Sequence, residues 1–208
     1  MDSLGLRAAL NRWRRRLVRG LMFRVLFGER SQGRLLPHTR ISPSTCIECE
    51  DRLVLGDHVY IGHFNLLDAS GGLTIEEGVQ VTSHCALVTH SSHRSLRLLG
   101  RAFAAWDGAP PRPGWIAGPV RIGAWSFIGP HSVIEANTQL GRGTIVCAGA
   151  RVRGTFPDFA ILDGTPARVV GDSRDGDATL LRQYPELREH HEAWASTPEP
   201  DDRDSRRP

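Results

Sequence analysis

The sequence predicts an all-β solenoid of short stacked strands, and a six-residue repeat is the main observation behind that prediction. Aliphatic residues recur at every sixth position without a miss, at Ile122, Ile128, Ile134, Leu140, Val146 and Val152. Small or hydroxyl residues recur four places later, at Ser126, Ser132, Thr138, Thr144 and Ala150. An amphipathic helix repeats at about 3.6 residues and a half-buried strand at about two, so a period of six indicates a solenoid whose turns bury one another.

The chain begins with a basic amphipathic helical segment, predicted over residues 1–40. This segment has ten Arg and two acidic residues, and five large apolar residues can share one helical face: Leu6, Leu10, Trp13, Leu17 and Leu21. Two interpretations stay open: the helix caps the open end of the solenoid, or it makes peripheral contact with an anionic membrane surface or a lipid-linked substrate. The sequence has no apolar run of about 20 residues that could span a membrane. No nucleic-acid-binding motif accompanies the charge, so nucleic acid is not an expected partner.

The solenoid is predicted over residues 41–171, with an inserted loop at residues 88–115. Upstream of the loop the repeat continues through Leu55, Ile61 and Leu67 and, after a two-residue slip at Gly71 and Gly72, through Ile75, Val81 and Leu87. The period then stops and resumes at about Ile116. A solenoid accommodates an insertion by extruding it, so the loop is an expected location for functional residues. Its run of Pro and Gly at residues 107–115 favours an extended arm over a helix.

The C-terminal region, residues 172–208, is predicted as a helix over residues 174–195 followed by a polar disordered tail. Cys46 and Cys49 form a C-x-x-C pair, but no second pair or Cys and His cluster follows to complete a zinc site. We therefore expect no metal. Because nothing in the sequence demands disulfides, we expect a reducing compartment, the cytoplasm.

The repeat, the loop and the end of the solenoid together resemble the hexapeptide-repeat acyltransferases. The stretch ILDGTPARVVG is similar to the closing motif of the galactoside, maltose and surface-polysaccharide O-acetyltransferases, with matches at Gly164, Pro166, Ala167 and Arg168. The resemblance runs from about Leu53 to Val170. It implies a left-handed parallel β-helix, a homotrimer and acetyl-CoA as co-substrate. The implied reaction is transfer of an acetyl group to a hydroxyl of a sugar or glycan-like acceptor in a ternary complex.

Such a transfer needs a general base, and His90 and His93 are the candidates because they lie where the coil passes into the loop. The resemblance favours His93, since Ser-Ser-His overlays the Gly-Ser-His found in the family. His90 is the alternative base, or otherwise a neighbour that orients the loop or substrate. The acidic partner stays open between Asp68 and the pair Glu76 and Glu77 of the next coil.

Binding residues follow from the same resemblance. The small residues Ala148 and Gly149 suit the narrow pantetheine arm of the coenzyme, and Arg151 and Arg168 suit its phosphates. Gly164 and Pro166 belong to the closing motif and are included with them. The candidate acceptor-binding residues are Asn65, Asp68 and Trp115.

Two other classes of function remain as alternatives. A zinc hydratase on the same scaffold needs three converging His residues, and only His131 lies in the corresponding region. A non-catalytic binding solenoid is the second, because a fold does not by itself give a function. The inserted loop with its two His residues favours the transferase over both.

Overall fold

In a computed structural model that describes residues 3–107 and 112–196, the chain winds into a parallel β-helix with three faces. The predicted all-β solenoid of parallel strands is confirmed. Its first coil strand begins at Arg40, ahead of the stretch in which the sequence repeat becomes regular.

The described residues form 21 strands and four α-helices. The strands in chain order are β1 (Glu29–Ser31), β2 (Arg34–Leu36), β3 (Arg40–Ile41), β4 (Cys46–Glu48), β5 (Leu53–Leu55), β6 (Tyr60–Ile61), β7 (Leu66–Asp68), β8 (Leu73–Ile75), β9 (Gln80–Val81), β10 (Ala86–Leu87), β11 (His90–Ser91), β12 (Ile116–Ala117), β13 (Val120–Ile122), β14 (Phe127–Ile128), β15 (Val133–Ile134), β16 (Thr138–Leu140), β17 (Ile145–Val146), β18 (Arg151–Val152), β19 (Thr155–Phe156), β20 (Ala160–Gly164) and β21 (Ala167–Asp172). The helices are α1 (Ser3–Met22), α2 (His93–Leu99), α3 (Ser173–Gln183) and α4 (Arg188–Ala195).

Each face of the β-helix is one parallel sheet. The first face stacks β5, β8, β13, β16 and β19. The second face stacks β3, β6, β9, β14, β17 and β20, and β21 closes it as an antiparallel strand. The third face, which leads to the candidate site, stacks β4, β7, β10, β15 and β18.

The repeat residues line the inside of the coils. All the aliphatic residues at the sixth positions are at most 8% exposed, and burying each contributes about 1.5–3 kcal/mol. The hydroxyl row is also buried, and its side chains donate to backbone carbonyls: Ser126 to Gly123 and Thr144 to Gly141. A buried carbonyl without a partner costs about 1–3 kcal/mol, which explains why this row is mostly Ser or Thr.

The N-terminal region differs from the prediction in two ways. The helix α1 ends at Met22, and the antiparallel hairpin of β1 and β2 occupies part of the remaining segment up to residue 40. Residues 4–22 are all exposed, so α1 does not pack on the coils as a cap. The capping interpretation is therefore not what the structure shows. Among the described residues, no helix combines the length and apolar character needed to cross a membrane.

The chain leaves the coils after Leu87 and rejoins them at Val120, later than the expected resumption at Ile116. This segment contains α2, which the prediction of an extended arm did not include, and part of that arm, residues 108–111, lies outside the described residues. The C-terminal region forms two helices rather than one, because Pro185 has no backbone N–H to continue α3. The predicted disordered tail lies outside the described residues from position 197 onward.

Candidate active site

The candidate site lies where the chain leaves the third face. Strands β11 and β12 pair in antiparallel fashion across the base of the inserted segment, with His90 opposite Ala117. A cavity of about 170 Å³ opens beside this pair. It is lined by both candidate bases and by neighbouring coil residues, among them His90, Ser91, His93, Ile116, Glu135 and Arg153.

His90 is paired with a buried carboxylate. Its Nδ1 lies 2.7 Å from Oδ2 of Asp68, whose side chain is 3% exposed, whereas the His90 side chain is 33% exposed. Asp68 is the last residue of β7 on the preceding coil, so the stacking of β10 on β7 brings the two together. A carboxylate that accepts a hydrogen bond from Nδ1–H fixes the neutral tautomer, which leaves Nε2 free to accept a proton.

The neighbours of Asp68 keep it ionised. Burial raises the pKa of this carboxyl, but hydrogen bonds from Ser70 and Thr89 outweigh that effect and hold the pKa well below its usual range. The backbone N–H of Ser70 donates to Oδ1 at 2.9 Å, and both the backbone N–H and the hydroxyl of Thr89 donate to Oδ2. Asp68 is thus a fixed negative charge behind His90.

Trp115 covers the imidazole of His90. The two rings stack with their centroids 5.0 Å apart and their planes 8° from parallel. The guanidinium of Arg112 lies over Trp115 and over Phe103, which ties the returning end of the inserted segment to its 3₁₀ turn. The same end packs so closely on α2 that a Cβ at Gly114 would lie 3.0 Å from the backbone nitrogen of Ser95. His90 is therefore held from two sides, by Asp68 and by Trp115.

His93 lies in the same cavity but in a different setting. It is the first residue of α2, its side chain is exposed, and its Nδ1 lies 2.7 Å from the hydroxyl of Ser91. Its recorded polar partner is this neutral hydroxyl rather than a carboxylate. Of the two candidates, His90 is thus the one whose ring is oriented by a carboxylate.

Asn65 does not reach the candidate site. It is 2% exposed, and its amide nitrogen donates to the carbonyls of Gly62 and Thr82. Its amide oxygen accepts from the backbone N–H of Cys85. The side chain holds two coils together and has no surface for a substrate, which corrects the expected acceptor-binding role.

The candidate donor-binding residues lie on the outside of the later coils. Ala148 and Gly149 are exposed at the turn between β17 and β18, and no atom lies within 4 Å of a Cβ built on Gly149. Arg151 pairs with Glu135 at 3.0 Å on the third face. The closing-motif residues Gly164, Pro166 and Arg168 are exposed on the β20–β21 hairpin of the second face.

Glu135 and Arg153 are cavity residues that the sequence analysis did not name as lining the site. The signal was present in the register of the repeat. Leu87 pairs with Ile134 in parallel strands, so Val88 and Glu135, which follow them, also lie side by side. Glu135 is therefore placed at the mouth of the loop.

Four of the other His residues stack in two pairs, His38 on His58 and His84 on His131. His131 stacks on His84 with ring centroids 5.0 Å apart. Within the described residues, the group that could offer three metal ligands is His38, Asp57 and His58. The rings of His38 and His58 are parallel to within 2° at 4.4 Å, so their in-plane lone pairs do not converge on one ion. The geometry therefore lends the zinc hydratase interpretation no support.

Comparison with known proteins agrees with this fold. No family model matches the chain. The "Probable acetyltransferase" of Mycobacterium tuberculosis strain H37Rv is 31% identical over 121 residues, which make up 58% of this chain and 37% of that protein. This chain thus spans little more than a third of the curated relative that it matches.

Solved structures define the class of fold. A hexapeptide-repeat acetyltransferase from Vibrio cholerae in complex with acetyl coenzyme A has a TM-score of 0.55 and 24% identity, over 64% of this chain and 67% of that one. A galactoside acetyltransferase in complex with coenzyme A has a TM-score of 0.53 and 22% identity, over 66% and 63% of the two chains. AntD, an N-acyltransferase from Bacillus cereus, has a TM-score of 0.54 and 17% identity, over 73% and 89%. The chain has the fold of the hexapeptide-repeat acetyltransferases.

Proposed function

We propose that this protein is an acetyl-CoA-dependent O-acetyltransferase that modifies a hydroxyl of a sugar or glycan-like acceptor. The observation that carries the proposal is the His90–Asp68 pair beside a cavity, on a fold shared with acetyltransferases. The relative and the neighbours described above are named for acetyl or acyl transfer, and two are in complex with coenzyme A or its acetyl thioester.

In this proposal His90 is the general base, which departs from the sequence-based preference for His93. Asp68 orients the His90 ring and stabilises the imidazolium that forms when Nε2 takes a proton. Histidine is the side chain most often used for such a proton transfer near neutral pH. His93 lines the same cavity and is assigned to contact with the acceptor.

The reaction then proceeds by direct attack. His90 removes the proton of the acceptor hydroxyl while its oxygen attacks the thioester carbonyl. The tetrahedral oxyanion collapses, the carbon–sulfur bond breaks, and the proton passes from His90 to the departing thiolate of coenzyme A. Acetyl ester and free coenzyme A are the products.

The donor is proposed to lie along the later coils. The pantetheine arm passes over Ala148 and Gly149, where the side chains are only a methyl group and a hydrogen, and the phosphates contact the exposed Arg168. Arg153 lines the cavity and Arg151 lies beside it on the third face, so both extend the basic surface toward the reacting thioester. Gly164 and Pro166 shape the hairpin that carries Arg168.

The proposal includes a homotrimer. A single face of the β-helix offers little concavity, whereas substrate sites are usually clefts. A groove between the β-helices of two neighbouring subunits suits the donor better. Sedimentation equilibrium is expected to give three times the chain mass of 23.0 kDa. Because acetyl-CoA is a metabolite of the cell interior, we place the reaction in the cytoplasm.

The test is acetyl transfer itself. The full chain is mixed with acetyl-CoA and a panel of sugars, sugar nucleotides and amino sugars, free thiol is followed with time, and acceptors are examined by mass spectrometry for an added acetyl group. Alkali-labile acetyl on a hydroxyl is the expected product. Exclusive acetylation of amines would replace this proposal with N-acyl transfer, the activity named for AntD. Absence of both thiol release and coenzyme A binding would leave the non-catalytic solenoid.

A further inference from the structure

We propose that α1 is a membrane-surface helix that lies in the headgroup layer of an anionic lipid bilayer and holds the protein there. This inference does not depend on acetyl transfer, because vesicle binding can be measured in the absence of any substrate. It commits to one of the two interpretations that the sequence left open, since the structure shows no capping by this helix.

The apolar face of α1 is continuous and exposed. With about 3.6 residues per turn, five large side chains fall within an arc of about 80° along the whole helix. Their exposed fractions lie between 48% and 69%, so they cover no part of the coils: Leu6, Leu10, Trp13, Leu17 and Leu21. An apolar stripe of this size, left in water, needs a partner.

The opposite side of α1 is rich in Arg, with Leu4, Val18 and Met22 among the arginines. The helix contains six Arg and no acidic residue: Arg7, Arg12, Arg14, Arg15, Arg16 and Arg19. Arg14 and Arg16 flank the apolar arc, while Arg12, Arg15 and Arg19 lie opposite it. Among the described residues none of the six forms an ion pair. A strongly basic polar face opposite Leu and Trp is the pattern of helices that lie flat in an anionic bilayer interface.

The junction with the coils extends the same surface. Phe23 follows α1 and packs on the rings of His63 and Phe64, with centroids 5.1 and 5.3 Å away. Leu26 and Phe27, a few residues further along the chain, are 61% and 62% exposed. The helix is thus attached at one end by an aromatic contact, and apolar side chains suited to insertion continue past that contact.

A second copy of this chain is the competing occupant, and charge argues against it. Two such helices packed along their apolar faces would bring twelve Arg together with no acidic residue on either helix. Like charges held this close repel, whereas each Arg near an anionic lipid surface strengthens binding by about fivefold. The helix therefore complements a lipid surface better than it complements itself.

The experiment is co-sedimentation of the full-length protein with vesicles of phosphatidylcholine alone and vesicles that contain one third phosphatidylglycerol. We expect binding to the anionic vesicles at least tenfold tighter, and weaker binding as salt is raised. Arg15→Gln is expected to weaken it about fivefold. The fluorescence emission of Trp13 is expected to shift to the blue on binding, and this shift should be missing in Trp13→Phe.

Leu17 and Val18 provide a matched pair. Their exposed fractions are 48% and 46%, but Leu17 lies on the apolar arc and Val18 lies about 100° away among the arginines. Leu17→Ser is expected to weaken binding tenfold or more, and Val18→Ser less than threefold. Circular dichroism checks that both variants keep the helix.

Three results would overturn the proposal: no binding to anionic vesicles, equal binding to neutral vesicles, or equal losses for the two variants. A fall in solution mass in Leu17→Ser, without vesicle binding by the parent protein, would assign α1 to a second copy. A protein that binds vesicles but transfers no acetyl group would keep this inference and contradict the proposed function alone.

Discussion

His90 with Asp68 and His38 with Asp57 form the same chemical pair in two different settings. The Nδ1 to Oδ2 distances are 2.7 and 2.9 Å, and in both cases hydrogen-bond donors around the carboxylate hold its pKa below the usual range despite desolvation. The His38 side chain, however, is 59% exposed and stacks on His58, whereas His90 is one-third exposed, lies under Trp115 and lines the cavity. A His–Asp pair thus occurs both at a turn of the scaffold and in the candidate site. The two pairs differ in the exposure and the neighbours of the His residue.

The largest expected difference between the two pairs is in turnover. His90→Ala is expected to lower the rate of acetyl transfer by roughly 10²–10⁴, the usual contribution of a positioned base, while His38→Ala leaves it unchanged. Thiol release under saturating acetyl-CoA measures both, and thermal melts show that each variant is folded. An active His90→Ala together with an inactive His93→Ala would return the role of base to His93.

Replacing the two carboxylates should also affect turnover to different extents, with the larger loss at Asp68. As a positioning residue, Asp68 acts through His90, so Asp68→Asn is expected to lower kcat by about 10² or more with little change in the KM for acetyl-CoA. Asp57→Asn should leave kcat near that of the parent protein. Asp68→Glu separates positioning from simple structural damage, because it keeps the charge and should restore part of the lost kcat. Equal losses for Asp68→Asn and Asp68→Glu, with both variants folded, would contradict the role assigned to Asp68.

The stacked tryptophans allow a finer comparison. Trp115 lies 5.0 Å from His90 and nearly parallel to it, and Trp125 lies 6.3 Å from His58 at 28°. Trp115→Leu is expected to lower kcat/KM about tenfold, because the imidazole loses the stacking contact that covers its ring, and Trp115→Phe should restore most of it. Trp125→Leu serves as the control for aromatic removal and should keep its turnover per folded molecule. If Phe and Leu at position 115 behave alike, stacking is not what matters there.

The smallest expected effect is on how the free energy of unfolding depends on pH. Because the folded pKa of Asp68 is depressed, its ionised form stabilises the native state at pH values above the ordinary value of 3.8, and this contribution is lost as pH falls through the folded pKa. The stability difference between the parent and Asp68→Asn should therefore be largest near neutrality and shrink below about pH 4. Urea unfolding at a series of pH values measures it. For Asp57 we expect the same sign and a smaller size, since its partner is exposed. A difference that grows on acidification would contradict the assignment.

The coils could be predicted from the sequence because their stability is local and periodic. Each buried aliphatic residue contacts its equivalent one coil away, so the six-residue spacing reports the packing directly, as at Ile128 between Val81 and Val146. The residues 29–36, which form a hairpin, carry no such period and were included in the helical segment. Helix formation by α1 was predictable from its pattern, but its exposure was not, since amphipathic spacing shows which face is apolar and not what covers it.

The candidate site was only half predictable for a related reason. Counting along the loop favoured His93, yet the contact that distinguishes His90 joins it to Asp68 on the previous coil. The sequence placed Asp68 among the candidate partners without deciding which His it meets. Asn65 was misplaced because a buried amide that bridges coils and an exposed amide that binds a substrate have the same local sequence.

The inserted segment can change in length at little cost to the coils. Leu87 pairs with Leu67 on the preceding coil and with Ile134 on the following one, so the segment more than doubles the separation between stacked partners. Chain-closure entropy grows only with the logarithm of loop length, which makes the added cost about 0.8 kcal/mol. Insertions and deletions between residues 88 and 119 are therefore nearly free for the coils beneath. One acceptor could be exchanged for another by changes between His90 and Trp115, while His90 and Asp68 keep their places.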